Sequence, residues 1–173
     1  MNTFSGYKHP ITALFITSLL LFSICNSFAQ PELPKRALAV RATQSIHFGA
    51  FCVTGPGGGT VTVGYDGSRS SIGDIVLLSV FPMAQPAIFE IRLCHSQNIS
   101  INYETPNVNL TGVGGSISLN IGPTDKGGNG ARFTASTDCN SFTQLRVGGT
   151  LTITGAALPG NYSGSFAINF IQE

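Results

Sequence analysis

Near its C-terminal end the chain alternates with a period of two. Tyr162, Gly164, Phe166, Ile168 and Phe170 fall on one side, and Ser163, Ser165, Ala167 and Asn169 on the other. Only an extended strand puts every second side chain on one face, so such a run must lie as a half-buried β-strand. The same period recurs along the chain. Leu38, Val40 and Ala42 alternate with Ala39, Arg41 and Thr43, and Phe89, Ile91 and Leu93 with Glu90 and Arg92. Ile99, Ile101 and Tyr103 follow, then Ile117, Leu119 and Ile121, then Leu145, Val147, Gly149, Leu151 and Ile153. Beyond residue 29 no stretch holds apolar residues at helical spacing over three turns. About eight short strands separated by turns predict an all-β fold, an antiparallel β-sandwich of the Ig-like kind.

The breaks between the runs carry turn chemistry. Gly55 to Gly59 with Pro56 can only turn, since glycine tolerates positive φ. With Thr60 to Val63 as the return strand, a hairpin is expected over 46–65. Asp66-Gly67 and Pro159-Gly160 are further turn signals. Asp74 to Val80 reads as a strand buried between two sheets, 105–115 as loop, and 122–130 as a mobile loop. Gly148-Gly149 inside a strand marks a bulge or a close backbone approach.

The N-terminus follows a different logic. Lys8 precedes an apolar run from Ile11 to Ile24, and Ser27-Phe28-Ala29 places small residues before a cut at Gln30. This is a signal-peptide pattern over 1–29. In the rival reading Cys25 is lipid-modified, but Ile24 stands where that processing requires a small residue. Export through the periplasm to the cell surface or medium is therefore expected, with no membrane span after cleavage. Residues 30–43 read as a leader, and 44–173 as the sandwich domain. Losing Lys8 leaves eight basic and eight acidic residues. No basic patch stands out, so nucleic acid is not an expected partner. A net charge near zero favours self-association.

Export also favours a disulfide. Cys52, Cys94 and Cys139 remain after cleavage, enough for one bridge. Cys94–Cys139 is the favoured pair, because both lie beside polar turn residues. Cys52, next to an apolar strand, reads as a small buried hydrophobe.

Sites for chemistry are scarce. His47 lies in a strand pattern. His95 adjoins Cys94, but neighbouring strand residues point to opposite faces, which a nucleophile and its base cannot do. Gly57-Gly58-Gly59 precedes a strand, not the helix N-terminus of an anion site. Asp125 to Asn129 has one acid and no following Glu, too few ligands for calcium. The expectation is no catalytic residue, no metal and no cofactor. Three sequons begin at Asn98, Asn109 and Asn161, with no function attached to them.

Several segments occur in a familiar order: Phe48 to Phe51, Gly58 to Val63, Asp66 to Ser70, Val76 to Leu78, Ala87 to Ile91, Val147 to Ile153 and Pro159 to Phe166. Over about residues 44–171 they resemble a bacterial secreted family of unknown function. That family is itself similar to spore coat protein U and to the archaic chaperone–usher pilins. The resemblance implies a fimbrial or other surface subunit without an active site. Its assembly would proceed by β-strand addition, with a periplasmic chaperone and an outer-membrane usher as partners. Leu38, Val40 and Ala42 are the candidate donor residues, and Tyr162, Phe166, Ile168 and Phe170 the candidate acceptor edge. The plainer alternative makes 38–44 the first strand of a complete sandwich. A second function class is a monomeric, adhesin-like binding module using loops 56–59, 66–72 and 122–130.

Overall fold

The structure is a computed structural model that describes residues 38–93, 98–136, 138 and 140–173. Thirteen antiparallel strands, and no helix, occur among them. The strands are β1 (Ala39–Gln44), β2 (Phe51–Val53), β3 (Gly59–Val63), β4 (Arg69–Gly73), β5 (Ile75–Leu77), β6 (Ala87–Arg92) and β7 (Asn98–Tyr103). They continue as β8 (Asn107–Gly112), β9 (Gly115–Thr124), β10 (Arg132–Thr134), β11 (Thr143–Ile153), β12 (Tyr162–Ser163) and β13 (Ile168–Gln172).

The longest strand organises the rest. β11 has 11 residues and pairs along both edges. On one edge Thr143–Val147 pairs with β6, and Gly149–Ile153 pairs with β3. On the other edge β9 pairs with Val147 to Thr152, with a register shift between Val147 and Gly149. The glycine pair is therefore a bulge, as its position in the strand predicts. A Cβ on Gly148 would come within 2.6 Å of the Val63 carbonyl oxygen, so any larger residue would push β3 away. The resulting eight-stranded sheet runs β1-β6-β11-β9-β8-β12, with the β3–β4 hairpin joined to the far half of β11.

Two smaller sheets cover this large one, giving two cores. The sheet β10-β7-β13 lies over the first, where Ile91, Ile99, Ile101, Leu145 and Val147 are fully buried. The pair β2–β5 lies over the second, built on Val61, Val63, Leu119, Leu151 and Ile153. Ile46 and Phe166 pack against both. The fold is thus the all-β sandwich that the alternation predicts.

Several local expectations are overturned. Residues 46–65 do not form a hairpin: β2 pairs with β5, and β3 turns instead through Asp66-Gly67 to β4. In that turn Asp66 accepts from the Ser68 hydroxyl at 2.6 Å and the Ser68 amide at 3.0 Å, and Gly67 takes a φ of 85°. The run from Asp74 to Val80 is not a strand buried on both faces. Only Ile75–Leu77 is strand, and Val76 and Val80 are exposed because β2–β5 is an outer layer with one dry face. Residues 107–112, expected as loop, form β8 and pair with β9. The last alternating run is two strands, since β12 joins β8 and β13 joins β7.

Two measurements follow from this packing. The Tyr103 hydroxyl is buried without a hydrogen-bond partner, and burial pushes it above the ordinary phenol value. Leaving such a group unpaired costs about 1–3 kcal/mol. Tyr103→Phe should therefore raise the unfolding free energy by about 1 kcal/mol in a urea titration, and a loss of stability would refute the unpaired state. At the β3–β4 turn the Ser68 hydroxyl, and then its amide, hold the Asp66 carboxyl below its usual value. A depressed carboxylate stabilises above its unfolded pKa, and that contribution disappears as pH falls below about 3.9. Asp66→Asn should flatten this acid-dependent part of the stability curve, lowering stability at neutral pH while changing it little at pH well below about 3.9.

Candidate functional site

The lone arginine or lysine between Arg41 and Arg92 is Arg69, on β4. Its guanidinium donates to the Ala50 carbonyl at 2.7 Å and to the Leu78 carbonyl at 3.1 Å. Its Nε is buried without a partner. Gly49, at a φ of 69°, lets it close in, for a Cβ there would lie 3.0 Å from the guanidinium carbon. Arg69 thus ties β4 to one end of the β2–β5 layer, where the Leu78 amide also donates to the Ala50 carbonyl at 2.9 Å. It draws three of the familiar segments together: Phe48 to Phe51, Asp66 to Ser70 and Val76 to Leu78. Two others, Gly58 to Val63 and Val147 to Ile153, are ladder partners in β3 and β11. These segments build a frame. Sequence reading passed over Arg69, whose one signal was that no other arginine or lysine lies near it in the chain.

A different feature concerns contact with other chains. The covering sheet β10-β7-β13 stops at β13, whose outer edge has no ladder partner among the described residues. Inside it Phe89 of β6 meets the Phe166 ring at 6.4 Å and the Phe170 ring at 6.1 Å between centroids. Beyond β6 lies β1, the edge of the large sheet. Val40 and Ala42 stand opposite Ile91 and Phe89, on the core-facing side, yet both are exposed, Val40 by 41%. Paired residues share a face. A core face is therefore left open at β1, past the end of the covering sheet.

The expected site residues distribute as follows. Leu38, Val40 and Ala42, read as donor residues, lie in or beside β1, paired with β6 of their own chain. Of the expected acceptor residues, Phe166, Ile168 and Phe170 gather on the first core. Tyr162 is elsewhere, on β12 over the second core, with its hydroxyl on the Leu158 carbonyl at 2.7 Å. The chain switches sheets at 164–167, so these four residues do not form one edge. Cys94 and Cys139 lie outside the described residues. Cys52 is a free thiol and exposed, not buried, because it sits on the outer face of β2.

The loops proposed for ligand binding are not brought together. The turn at 56–59 and the turn at 64–68 cap opposite ends of β3. Residues 69–72 belong to β4, and 122–124 to β9. The remaining turn is fastened to β7, where Asn129 Oδ1 accepts from the Tyr103 amide at 2.8 Å. Beside it an open depression of about 340 Å³ is lined by Ser100, Asn102, Arg132 and Ile171, among others. Arg132 and Glu173 pair across it at 3.1 Å, so it carries no net field for a charged ligand. Among the described residues, no three His, Cys, Asp or Glu side chains gather closely enough to hold a metal ion.

A β-sandwich framed by glycine approaches and one arginine tie, with a partly uncovered sheet edge, defines the class. The chain belongs to the family described as Domain of unknown function (DUF4402), whose model matches residues 38–171 and so takes in β1 to most of β13. No curated protein and no solved structure matches it.

The arginine tie is directly testable. Arg69→Ala removes two charge-assisted hydrogen bonds and should cost about 2 kcal/mol in a denaturant titration. Arg69→Lys should recover only a minor part, because one ammonium cannot reproduce the planar fork that meets both carbonyls. Full recovery by lysine would show that charge, not geometry, matters at this position.

Proposed function

We propose that this protein is an exported structural subunit of a fimbria or related cell-surface assembly, joined to its neighbours by β-strand addition and having no catalytic role. The observation that carries this reading is the outer edge of β13. Along Ile168 to Ile171 the outer edge of β13 has no ladder partner among the described residues, and an exposed core face remains at Val40 and Ala42. A strand laid there would gain main-chain hydrogen bonds and cover apolar surface in one step. The order of segments resembles a secreted family that is itself similar to spore coat protein U and the chaperone–usher pilins, and this resemblance supports the same reading. So do the signal-peptide pattern and the balanced charge. On this reading a periplasmic chaperone shields the edge before assembly, and an outer-membrane usher passes the subunit outward.

The reading is tested on native surface extracts, blotted with and without boiling in detergent. A ladder of multimers that collapses to one band on boiling is the expected result. A single band at the monomer mass in both lanes would remove the polymer reading.

A further inference from the structure

Among the described residues, strand β1 is held through one edge alone. Its ladder to β6 runs from Ala39 opposite Arg92 to Gln44 opposite Ile88, with an irregular step between Ala42 and Gln44. Its side-chain ties are the Arg41–Glu90 ion pair at 2.8 Å, Thr43 Oγ1 to the Ile88 carbonyl at 3.2 Å, and Gln44 Nε2 to the Pro86 carbonyl at 2.7 Å. Four consecutive residues, Val40 to Thr43, are exposed, and in this segment only Leu38 packs against the apolar core. An edge strand that buries so little opens locally at small cost. The ion pair is exposed and adds about 0–1 kcal/mol, enough to favour one register but not to lock the strand.

These polar ties and the whole ladder end on the short stretch 86–92. A second copy of the chain presents the same stretch, with the same carboxylate opposite Arg41 and the same carbonyls for Thr43 and Gln44. We infer that β1 is an exchangeable strand, leaving β6 of its own chain for β6 of a second copy and pivoting near Ser45, just past the irregular step. Ser45 is exposed, whereas Ile46 and Phe48 are anchored in the cores, which places the hinge before them. Exchange restores every contact it breaks, so its balance depends on protein concentration and on the hinge. A reciprocal exchange closes a dimer. An exchange passed on to a third copy extends a chain. The inference rests on the strand-addition reading but assigns the donor strand a different acceptor, β6 instead of β13.

The test uses the full chain with Cys52→Ser, carrying either Arg41→Cys or Glu90→Cys. The two proteins are mixed and treated with a short bis-maleimide, and cross-linked peptides are identified by mass spectrometry. A 41–90 cross-link between chains, increasing with protein concentration, is expected. The double variant should cross-link within one chain at low concentration, which shows that the reagent spans the pair. Intrachain product without mixed product overturns the exchange. Amide hydrogen exchange gives an independent reading: residues 39–44 should exchange at least ten times faster than β11, and equal protection also overturns it. A detergent-sensitive ladder without the mixed cross-link would leave strand addition at β13 standing and remove exchange at β6. The mixed cross-link without a ladder would sustain exchange as a closed dimer and remove the polymer reading.

Discussion

The backbone of β11 has to be satisfied on both edges, and the rest of the molecule is arranged around that requirement. An 11-residue strand in a protein core exposes donors and acceptors that nothing but other strands can pair throughout. β6 is too short to cover one edge alone, so β3 takes over where β6 ends. The change of partner falls at Gly148-Gly149, where the ladder to β9 also slips. Lacking a side chain, Gly148 lets the β3 backbone approach within a distance that any Cβ would forbid. The sheet divides there, and each half acquires its own cover and its own core.

The two covers differ in reach. β2–β5 is small and needs an outside fastening, which Arg69 provides through two carbonyls. A guanidinium suits this task because its planar fork can meet acceptors from separate segments while the charge remains partly solvated. The three-stranded cover is fastened by its core, through Phe166, Ile168 and Phe170. It stops short of β1, and the residues paired with Ile91 and Phe89 are left exposed. Free hydrogen-bonding edges next to uncovered apolar surface are a hazard for a monomer and an opportunity for an assembling subunit. The functional proposal stands on that imbalance and not on any constellation of reactive groups.

Much of this was legible in the sequence, and the failures share one cause. Period two identified β6, β7, β9 and β11 and the faces they bury, because alternation is a local property of an extended chain. The Gly148-Gly149 bulge and the Asp66-Gly67 turn were legible for a similar reason, since glycine and aspartate mark backbone conformations directly. Pairing was misread wherever it joined distant segments. β2 and β3 follow one another across a glycine turn, which suggested a hairpin, yet their hydrogen bonds go to β5, β4 and β11. Tyr162 and Phe170 share a parity but not a sheet.

By itself the sequence determined the all-β class, the inward residues of the long strands and turns such as Asp66-Gly67. Each of these depends on neighbours a few residues apart or on totals. The tertiary structure alone decided which strands pair, that Cys52 faces outward, that Arg69 closes three segments, and that the candidate donor strand rests on β6. These depend on which edges and faces remain uncovered once β11 has taken its partners, and no local pattern along the chain encodes that.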